Sequence, residues 1–261
     1  MDVKSIYNTE FYNNQKYRSL RAAGVILPYL FQFYKPNSVI DIGCGSGSWL
    51  RACQDLGVGT IHGVDINEVD EQTLFVPRDV IDIFDFSNLT SQEKFAHSQK
   101  YDLAISLEVA EHLEPQNAVS FVKYLTSFSD VVLFSAAHPF QSGVHHVNCQ
   151  PAVYWSSLFK NEDYVCVDIM RRQLMFVPQL DECYWYGQNS FLYVHNSCEN
   201  VLKSLQDYIT DAPVSYYHQA VVNEIVHQMN GMSSRLTKME TSLWYRIQRK
   251  LKKILRRKID Y

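Results

Sequence analysis

The sequence lacks three features that would assign it to a function class at once. No apolar run reaches the roughly 20 positions that a membrane-spanning helix needs. The six cysteines never occur in C-x-x-C spacing, so we expect reduced thiols and neither a disulfide framework nor a zinc site. The formal net charge is −4, so the body of the chain offers no basic surface for a nucleic acid, and no such partner is expected.

A signal sequence is also not expected, because residues 1–14 contain no apolar core. Together with the reduced cysteines, this predicts a cytoplasmic protein. The chain has 261 residues and 46% hydrophobic content, enough for one full α/β core with an appendage. Predicted strands alternate with predicted helices, which indicates a mostly parallel sheet covered on both faces.

The most informative segment is "VIDIGCGSG" at residues 39–47. A short β-branched run predicts a buried strand that reaches Asp41, and the helical spacing of "SWLRACQDL" predicts a helix directly afterwards. Glycines at alternate positions, beginning with Gly43 and Gly45, therefore occupy a strand-to-helix turn. Glycine lets the backbone bend sharply there and lets a ligand approach closely, so we predict a ligand site.

The acid in this segment indicates which ligand the turn accepts. The third glycine comes one residue too early for the dinucleotide pattern G-x-G-x-x-G, and no Gly-Lys-Ser/Thr ending of a P-loop follows. Asp41 would repel a pyrophosphate but attract a cation. The pattern therefore favours S-adenosylmethionine, which carries an ammonium and a sulfonium.

Three further segments follow in order: "GVDIN", "RDV" and "YDLAISLEVAEHLEP". With the glycine turn, they make roughly residues 35–140 resemble a class I S-adenosylmethionine-dependent methyltransferase. The resemblance implies an α/β, doubly wound, Rossmann-like fold with seven strands, of which the last is antiparallel. A C-terminal helical extension would follow. We expect the last two strands close to residues 164–171 and 190–197.

The resemblance also implies the cofactor contacts. Asp65 would bind the ribose, Asp79 and Val80 would frame the adenine, and Glu108 would lie beside the cofactor. Asp82 competes with Asp79 for the adenine role, because "RDVIDIFDF" offers several acids. The expected cofactor-binding residues are Asp41, Gly43, Gly45, Asp65, Asp79, Val80 and Glu108.

The acceptor is inferred from the segment "AAHPFQSGVHHVNCQPAVYW", which follows the fifth predicted strand. Aromatic faces cover sugar C–H groups and amides bind hydroxyls, so this composition suits a carbohydrate. The segment also resembles, less specifically, that of bacterial and viral methyltransferases that act on glycans. The expected acceptor-binding residues are His138, Asn148, Gln150, Tyr154, Trp155 and, from the N-terminal segment, Tyr12. In the alternative interpretation, "AVYWSSLF" is a helix that packs on the core.

A sugar hydroxyl has a high pKa, so its methylation needs a general base. His146 is the first candidate, His145 the second, and Glu108 follows. Glu111 and His112 are instead expected to begin a helix. We expect no metal, because hard cations prefer carboxylates and the histidine-containing segment has none.

Three regions are predicted along the chain: an N-terminal helical lid at 1–34, a methyltransferase domain at 35–198 and a helical extension at 199–261. The extension contains apolar residues at alternating steps of four and three, which predicts a coiled-coil seam and a homo-oligomer. They are Ile225, Met229, Met232, Leu236, Met239 and Leu243. Eight lysines and arginines between 246 and 258 predict peripheral contact with an anionic membrane, where a lipid-linked acceptor would lie.

The sequence thus predicts methyl transfer to a hydroxyl of a sugar or glycan by in-line displacement. The alternative is a small-metabolite, protein or tRNA methyltransferase of the same fold, or a non-catalytic binding module on that fold. The fourth motif reads "SLEVAEHL" and has no N-P-P-Y-like sequence, which argues against methylation of an amide or base nitrogen.

Overall fold

Seven short strands, most of them rich in Val, Ile and Leu, form one sheet in the computed structural model. The structure describes residues 9–89 and 99–257, without the side chains of 9–15, 88, 249 and 251–257. The strands are β1 (Ser38–Ile42), β2 (Thr60–Asp65), β3 (Ile81–Ile83), β4 (Leu103–Leu107), β5 (Val131–Ser135), β6 (Tyr164–Val167) and β7 (Phe191–His195). Their order is β3-β2-β1-β4-β5-β7-β6, and β7 is antiparallel to both of its neighbours. The predicted doubly wound sheet is confirmed.

Helices cover both faces of this sheet. They are α1 (Thr9–Leu30), α2 (Ser48–Asp55), α3 (Ala118–Phe128), α4 (Ala152–Lys160), α5 (Arg171–Leu174), α6 (Tyr184–Asn189), α7 (Glu199–Ser204) and α8 (Gln219–Arg257). Successive strand residues point to opposite faces, so Val39 joins the core beneath α1 and α2, whereas Ile40 joins the core beneath α3 and α4. The predicted lid helix α1 is thus also a core element, since Ile26 and Leu30 are fully buried.

The strand order reverses between β1 and β4, which places a crevice at their carboxyl ends. The glycine turn lies there, with positive φ at Gly43, Gly45 and Gly47. A Cβ on Gly43 would lie 2.4 Å from the Val109 side chain, so the backbone has no room for any other residue. Sequence and packing therefore both require glycine at this turn.

The chain divides into two compact units, residues 1–218 and 219–261. The compact units divide after residue 218, whereas the sequence predicted a domain boundary after residue 198. Residues 199–218 belong to the sheet domain because Ile209 pairs with Val167 and the Asp168 N–H donates to the Tyr208 carbonyl at 2.9 Å.

Arg171 holds this last segment of the first unit. Its guanidinium is fully buried, donates twice to the Asp168 carboxylate at 2.9 and 2.6 Å, and reaches the Val214 carbonyl at 2.6 Å. It also lies over the rings of Phe191 and Tyr216. One side chain thus joins β7, the turn after β6 and the strand-free segment before residue 218.

The second unit is the single helix α8. Its predicted seam is exposed: Met229, Met232, Leu236, Met239 and Leu243 have between 57% and 69% of their surface accessible. None of the described helices combines the length and apolar character needed to cross a bilayer. Self-association and peripheral membrane contact through this helix stay predictions.

We expect Arg171→Ala to lower the free energy of unfolding by about 3 kcal/mol or more, because it leaves the Asp168 carboxylate without its buried partner. Urea denaturation measures the change. Arg172→Ala, at the exposed neighbouring position, is the matched control and should cost no more than about 0.5 kcal/mol. Equal destabilisation by the two variants would contradict the anchoring role of Arg171.

We expect the full chain to self-associate through α8 and a chain ending at His218 to be monomeric, because the exposed seam is buried only against another helix. Light scattering after size exclusion measures the mass. Replacing both Met232 and Met239 with lysine should also give a monomer. The control Ser234→Lys, which lies outside the seam, should still self-associate. A full chain that is itself monomeric would contradict the prediction.

Sedimentation of the same proteins with phosphatidylserine vesicles tests whether the basic tail binds an anionic membrane.

Candidate active site

A cavity of about 390 Å³ opens at the carboxyl ends of the parallel strands. The parts of the chain that line it include the end of β1 with the glycine turn, the ends of β2 and β4, the segments after β3 and β5, and residues of α1, α2 and α6. The lining residues that carry the argument below are Asp41, Gly43, Gly45, Asp65, Phe86, Glu108, Glu111, His112, Gln141, Gly143, His146, Tyr184, Trp185 and Tyr186.

Two aspartates lie beside the glycine turn and differ in their hydrogen bonding. Asp65 accepts hydrogen bonds from the N–H groups of Gly45 at 2.7 Å and Asn67 at 3.1 Å. Asp41 is buried, and its Oδ2 has no hydrogen-bond partner within the described residues. Burial, and then the charge of Asp65, raise the pKa of Asp41 well above its usual value. A cationic ligand group beside Asp41 would supply the missing partner.

The predicted adenine-binding pair lies elsewhere. Asp79 and Val80 form a 3₁₀ turn with Arg78 that precedes β3, and neither lines the cavity. The apolar run around β3 allows several registers, and the strand begins only at Ile81. Phe86, three residues after the strand ends, is buried and faces the cavity instead. The adenine-binding role of Asp79 and Val80 stays a prediction, and neither residue lines the cavity.

Two glutamates meet at the end of β4. Glu108 has a φ of 57°, and its carboxylate accepts hydrogen bonds from the amides of Gln141 at 3.1 Å and Asn189 at 3.0 Å. Glu111 is completely buried, and neither of its carboxylate oxygens has a hydrogen-bond partner within the described residues. Burial, and then the charge of Glu108, raise the pKa of Glu111 well above its usual value.

Two histidines complete this cluster. His112 and His146 approach edge to face, with ring centroids 5.0 Å apart, and His146 Nε2 lies 4.0 Å from Glu111 Oε1. Burial, and then His146, lower the pKa of His112 to about 4, and burial also lowers the pKa of His146. Both rings are therefore neutral at pH 7 and present lone pairs. The cluster can accept a proton or bind a cation.

The turn that contains Glu111 and His112 is not the start of a helix. It is a 3₁₀ turn (Ala110–His112), and the next α-helix, α3, begins only at Ala118. Both side chains line the cavity, so the structural role expected for them is corrected. Of the adjacent histidines, only His146 reaches the cavity; His145 has a φ of 55°, and its carbonyl lies 3.2 Å from His112 Nδ1.

The predicted aromatic acceptor residues lie in the core. Trp155 and Tyr154 are on α4, where Trp155 is buried with its ring centroid 5.2 Å from that of Phe134. Neither lines the cavity. The alternative interpretation, a helix that packs on the sheet, therefore describes the position of these two residues.

The predicted polar acceptor residues also lie outside the cavity lining. His138 is buried, with its ring 6.1 Å from Tyr217. Asn148 is buried and accepts a hydrogen bond from the Gln150 amide at 3.0 Å. Tyr12 falls in α1 at a position whose side chain lies outside the described residues.

Three consecutive aromatic residues of α6, called the aromatic wall below, line the cavity. The sequence predicted Tyr154 and Trp155 for this position. Tyr184, Trp185 and Tyr186 line the cavity, and Tyr186 lies edge to face with Trp49 at 5.3 Å. The run "YWYG" marks these residues in the sequence, but no local pattern connects α6 to a turn more than a hundred residues earlier. Only the tertiary fold reveals them.

Comparison with known proteins finds a family match over part of the chain and similar solved structures over most of it. Residues 14–130 match the family model described as a methyltransferase domain. No curated protein matches the chain in sequence. Among solved structures, DesVI of Streptomyces venezuelae is 12% identical with a TM-score of 0.51, over 75% of this chain and 99% of DesVI. At that identity the likeness shows the fold.

Two other solved structures are similar at lower TM-scores. The plantazolicin methyltransferase BpumL in complex with SAH is 17% identical with a TM-score of 0.42, over 72% of this chain and 88% of that one. The methyltransferase domain of a bacterial Hen1 is 18% identical with a TM-score of 0.45, over 68% and 97% of the two chains.

The family match, the sheet topology and the cavity agree on one cofactor. Gly43 and Gly45 of the turn line the cavity, where the methionine end of S-adenosylmethionine would lie, and the unpartnered oxygen of buried Asp41 would accept its ammonium. The cofactor, when bound, supplies the electrophilic methyl group. The chain therefore has the Rossmann-like methyltransferase fold, and its cavity fits S-adenosylmethionine as the cofactor.

Proposed function

We propose that this enzyme transfers the methyl group to a hydroxyl oxygen and that the hydroxyl belongs to a sugar or glycan. The cluster of Glu108, Glu111, His112 and His146 beside the glycine turn carries the proposal. An amine or carboxylate acceptor needs little beyond orientation, whereas a hydroxyl must lose a proton during transfer. A buried group of acids and neutral histidines suits that demand.

His146 is the member of the cluster that is placed to receive the proton. Its Nδ1 lies 3.2 Å from the Gln141 carbonyl, which assigns the ring proton to Nδ1 and leaves the lone pair on Nε2. The lowered pKa keeps the ring neutral, as a base must be. In the predicted reaction the oxygen attacks the methyl carbon in line as the carbon–sulfur bond breaks.

The aromatic wall supports a sugar as the acceptor. Tyr184 and Trp185 line the cavity with aromatic side chains, and Glu108 and Glu111 line it with carboxylates. Aromatic rings cover the C–H side of a sugar, while carboxylates accept hydrogen bonds from its hydroxyls. These residues, and not those predicted from the segment after β5, support the carbohydrate proposal.

An acceptor screen tests this function. The purified enzyme and S-adenosylmethionine are incubated with methyl glycosides and oligosaccharides, and release of S-adenosylhomocysteine is measured. We expect turnover with a sugar and methylation of oxygen by mass spectrometry. Small metabolites, peptides and short RNAs form the other arms, and turnover confined to non-sugar acceptors or to nitrogen would overturn the proposal.

We expect Asp65→Ala to weaken S-adenosylmethionine binding by roughly 10- to 100-fold, because hydrogen bonds to a carboxylate contribute about 1.5–3 kcal/mol. Calorimetric titration measures the dissociation constant. Asp79→Ala is the matched control and should bind as the parent does, since Asp79 lies outside the cavity. Loss of binding in Asp79→Ala would restore the original adenine assignment.

We expect His146→Ala to lower kcat on the identified acceptor by roughly 100-fold or more while cofactor affinity is retained. Glu111→Gln should act in the same direction, because it removes a charge from the cluster. Glu114→Gln, exposed on the same segment, serves as the control and should keep full turnover. Full activity in His146→Ala would move the proton acceptor to Glu108.

A further inference from the structure

Three potential metal ligands converge at one end of the cavity. The donor atoms of Glu111, His112 and His146 all lie within 4.8 Å of one another. The Glu108 carboxylate lies beside them and interacts with that of Glu111. Each of these four residues also lines the cavity, so an ion bound here would face the acceptor.

Glu111 needs a positive partner in this position. Its side chain is completely inaccessible to solvent, and neither carboxylate oxygen has a hydrogen-bond partner within the described residues. A buried carboxylate without a partner costs several kcal/mol, so it takes up either a proton or a cation. With Glu108 adjacent, a single cation would satisfy two carboxylates.

The histidines are oriented as metal ligands are. His112 Nδ1 lies 3.2 Å from the His145 carbonyl, and His146 Nδ1 lies 3.2 Å from the Gln141 carbonyl. Such contacts place the ring proton on Nδ1 and the lone pair on Nε2. Metal-binding histidines are typically held in this way by a carbonyl behind the ring.

The backbone fastens the two ligand-bearing segments to each other. The N–H groups of Val147 and Asn148 both donate to the Glu111 carbonyl at 2.9 Å. Glu108 is held in turn by the amides of Gln141 and Asn189, and the Asn189 amide also donates to the Gln141 side chain at 3.0 Å. The ligands are therefore positioned before any ion binds.

We propose that Glu111, His112 and His146, supported by Glu108, bind one divalent first-row transition-metal cation. Two imidazoles with carboxylates favour Mn²⁺, Fe²⁺, Co²⁺ or Zn²⁺ over Mg²⁺ and Ca²⁺, which prefer oxygen alone. The sequence predicted no metal because the segment after β5 has no carboxylate. The carboxylates come instead from the end of β4.

The chemical role of the ion rests on the proposed hydroxyl methylation. A cation bound to the acceptor oxygen lowers the pKa of the hydroxyl, whose proton leaves to solvent. The oxygen then forms a bond to the methyl carbon while the sulfur keeps the electron pair of the broken carbon–sulfur bond. With the metal bound, His146 Nε2 would be a ligand and could not accept a proton. The ion would then promote loss of the hydroxyl proton in place of His146.

Cobalt binding tests the site without any acceptor. Chelator-treated protein is titrated with Co²⁺, and the visible d–d absorption is recorded together with the heat of binding. We expect one Co²⁺ per chain. Glu111→Gln, His112→Ala and His146→Ala should each weaken binding by more than the roughly 10- to 100-fold that loss of a second-shell partner costs.

Matched controls separate ligation from folding. Glu114→Gln and His227→Ala, both exposed, should bind Co²⁺ as the parent does, and every variant should retain S-adenosylmethionine binding. Absence of the d–d bands in the parent protein, or equal loss of Co²⁺ in the controls, would overturn the proposal. If Co²⁺ binds as expected but the acceptor screen finds no sugar substrate, the proposed function alone would be overturned.

A glycine variant tests the position of His146 without removing a ligand. A Cβ on Gly143 would lie 2.0 Å from His146 Nε2, so Gly143→Ala must displace the ring and should weaken Co²⁺ binding. Gly24→Ala, where nothing lies within 4 Å, is the control and should bind normally. Normal Co²⁺ affinity in Gly143→Ala would show that His146 is not a ligand in this geometry.

Discussion

The convergence of like charges at one sheet edge is the constraint on which this site depends. Parallel strands end together, so β1, β2 and β4 deliver Asp41, Asp65, Glu108 and Glu111 to a single cavity. Among the described residues that line it, Lys16 is the only lysine or arginine. Because like charges in a buried site raise one another's pKa, the cavity favours ligands that bring positive charge.

The protein itself compensates only two of these acids. Backbone N–H groups hold Asp65, and side-chain amides hold Glu108. Asp41 and Glu111 each keep buried oxygens without a partner in the described structure. Asp41 lies beside the glycine turn, and Glu111 lies in the cluster with the two histidines. In the proposed function, the uncompensated charge is therefore divided between the cofactor side and the acceptor side of the cavity.

Local sequence patterns predict the donor side better than the acceptor side. The glycine turn, Asp41 and Asp65 follow from short motifs at strand ends, and the structure brings them together. Asp79 lies outside the cavity lining because β3 has only three residues and begins after it, at Ile81. Trp155 lies in the core because its position on one face of α4, which its residue type does not reveal, decides what it contacts. The Glu111–His146 cluster is set by backbone hydrogen bonds between distant segments, which no local pattern encodes.

The segment between 199 and 218 shows why the domain boundary matters for the site. The His218 N–H donates to the Gln188 side chain, whose amide reaches Gln141 and Asn189, the two groups that hold Glu108. The His218 ring also stacks on Tyr184 at 4.7 Å, behind the aromatic wall. A chain that ended at 198 would keep every strand but lose both supports. The complete active site therefore needs residues up to 218, beyond the sheet that defines the fold.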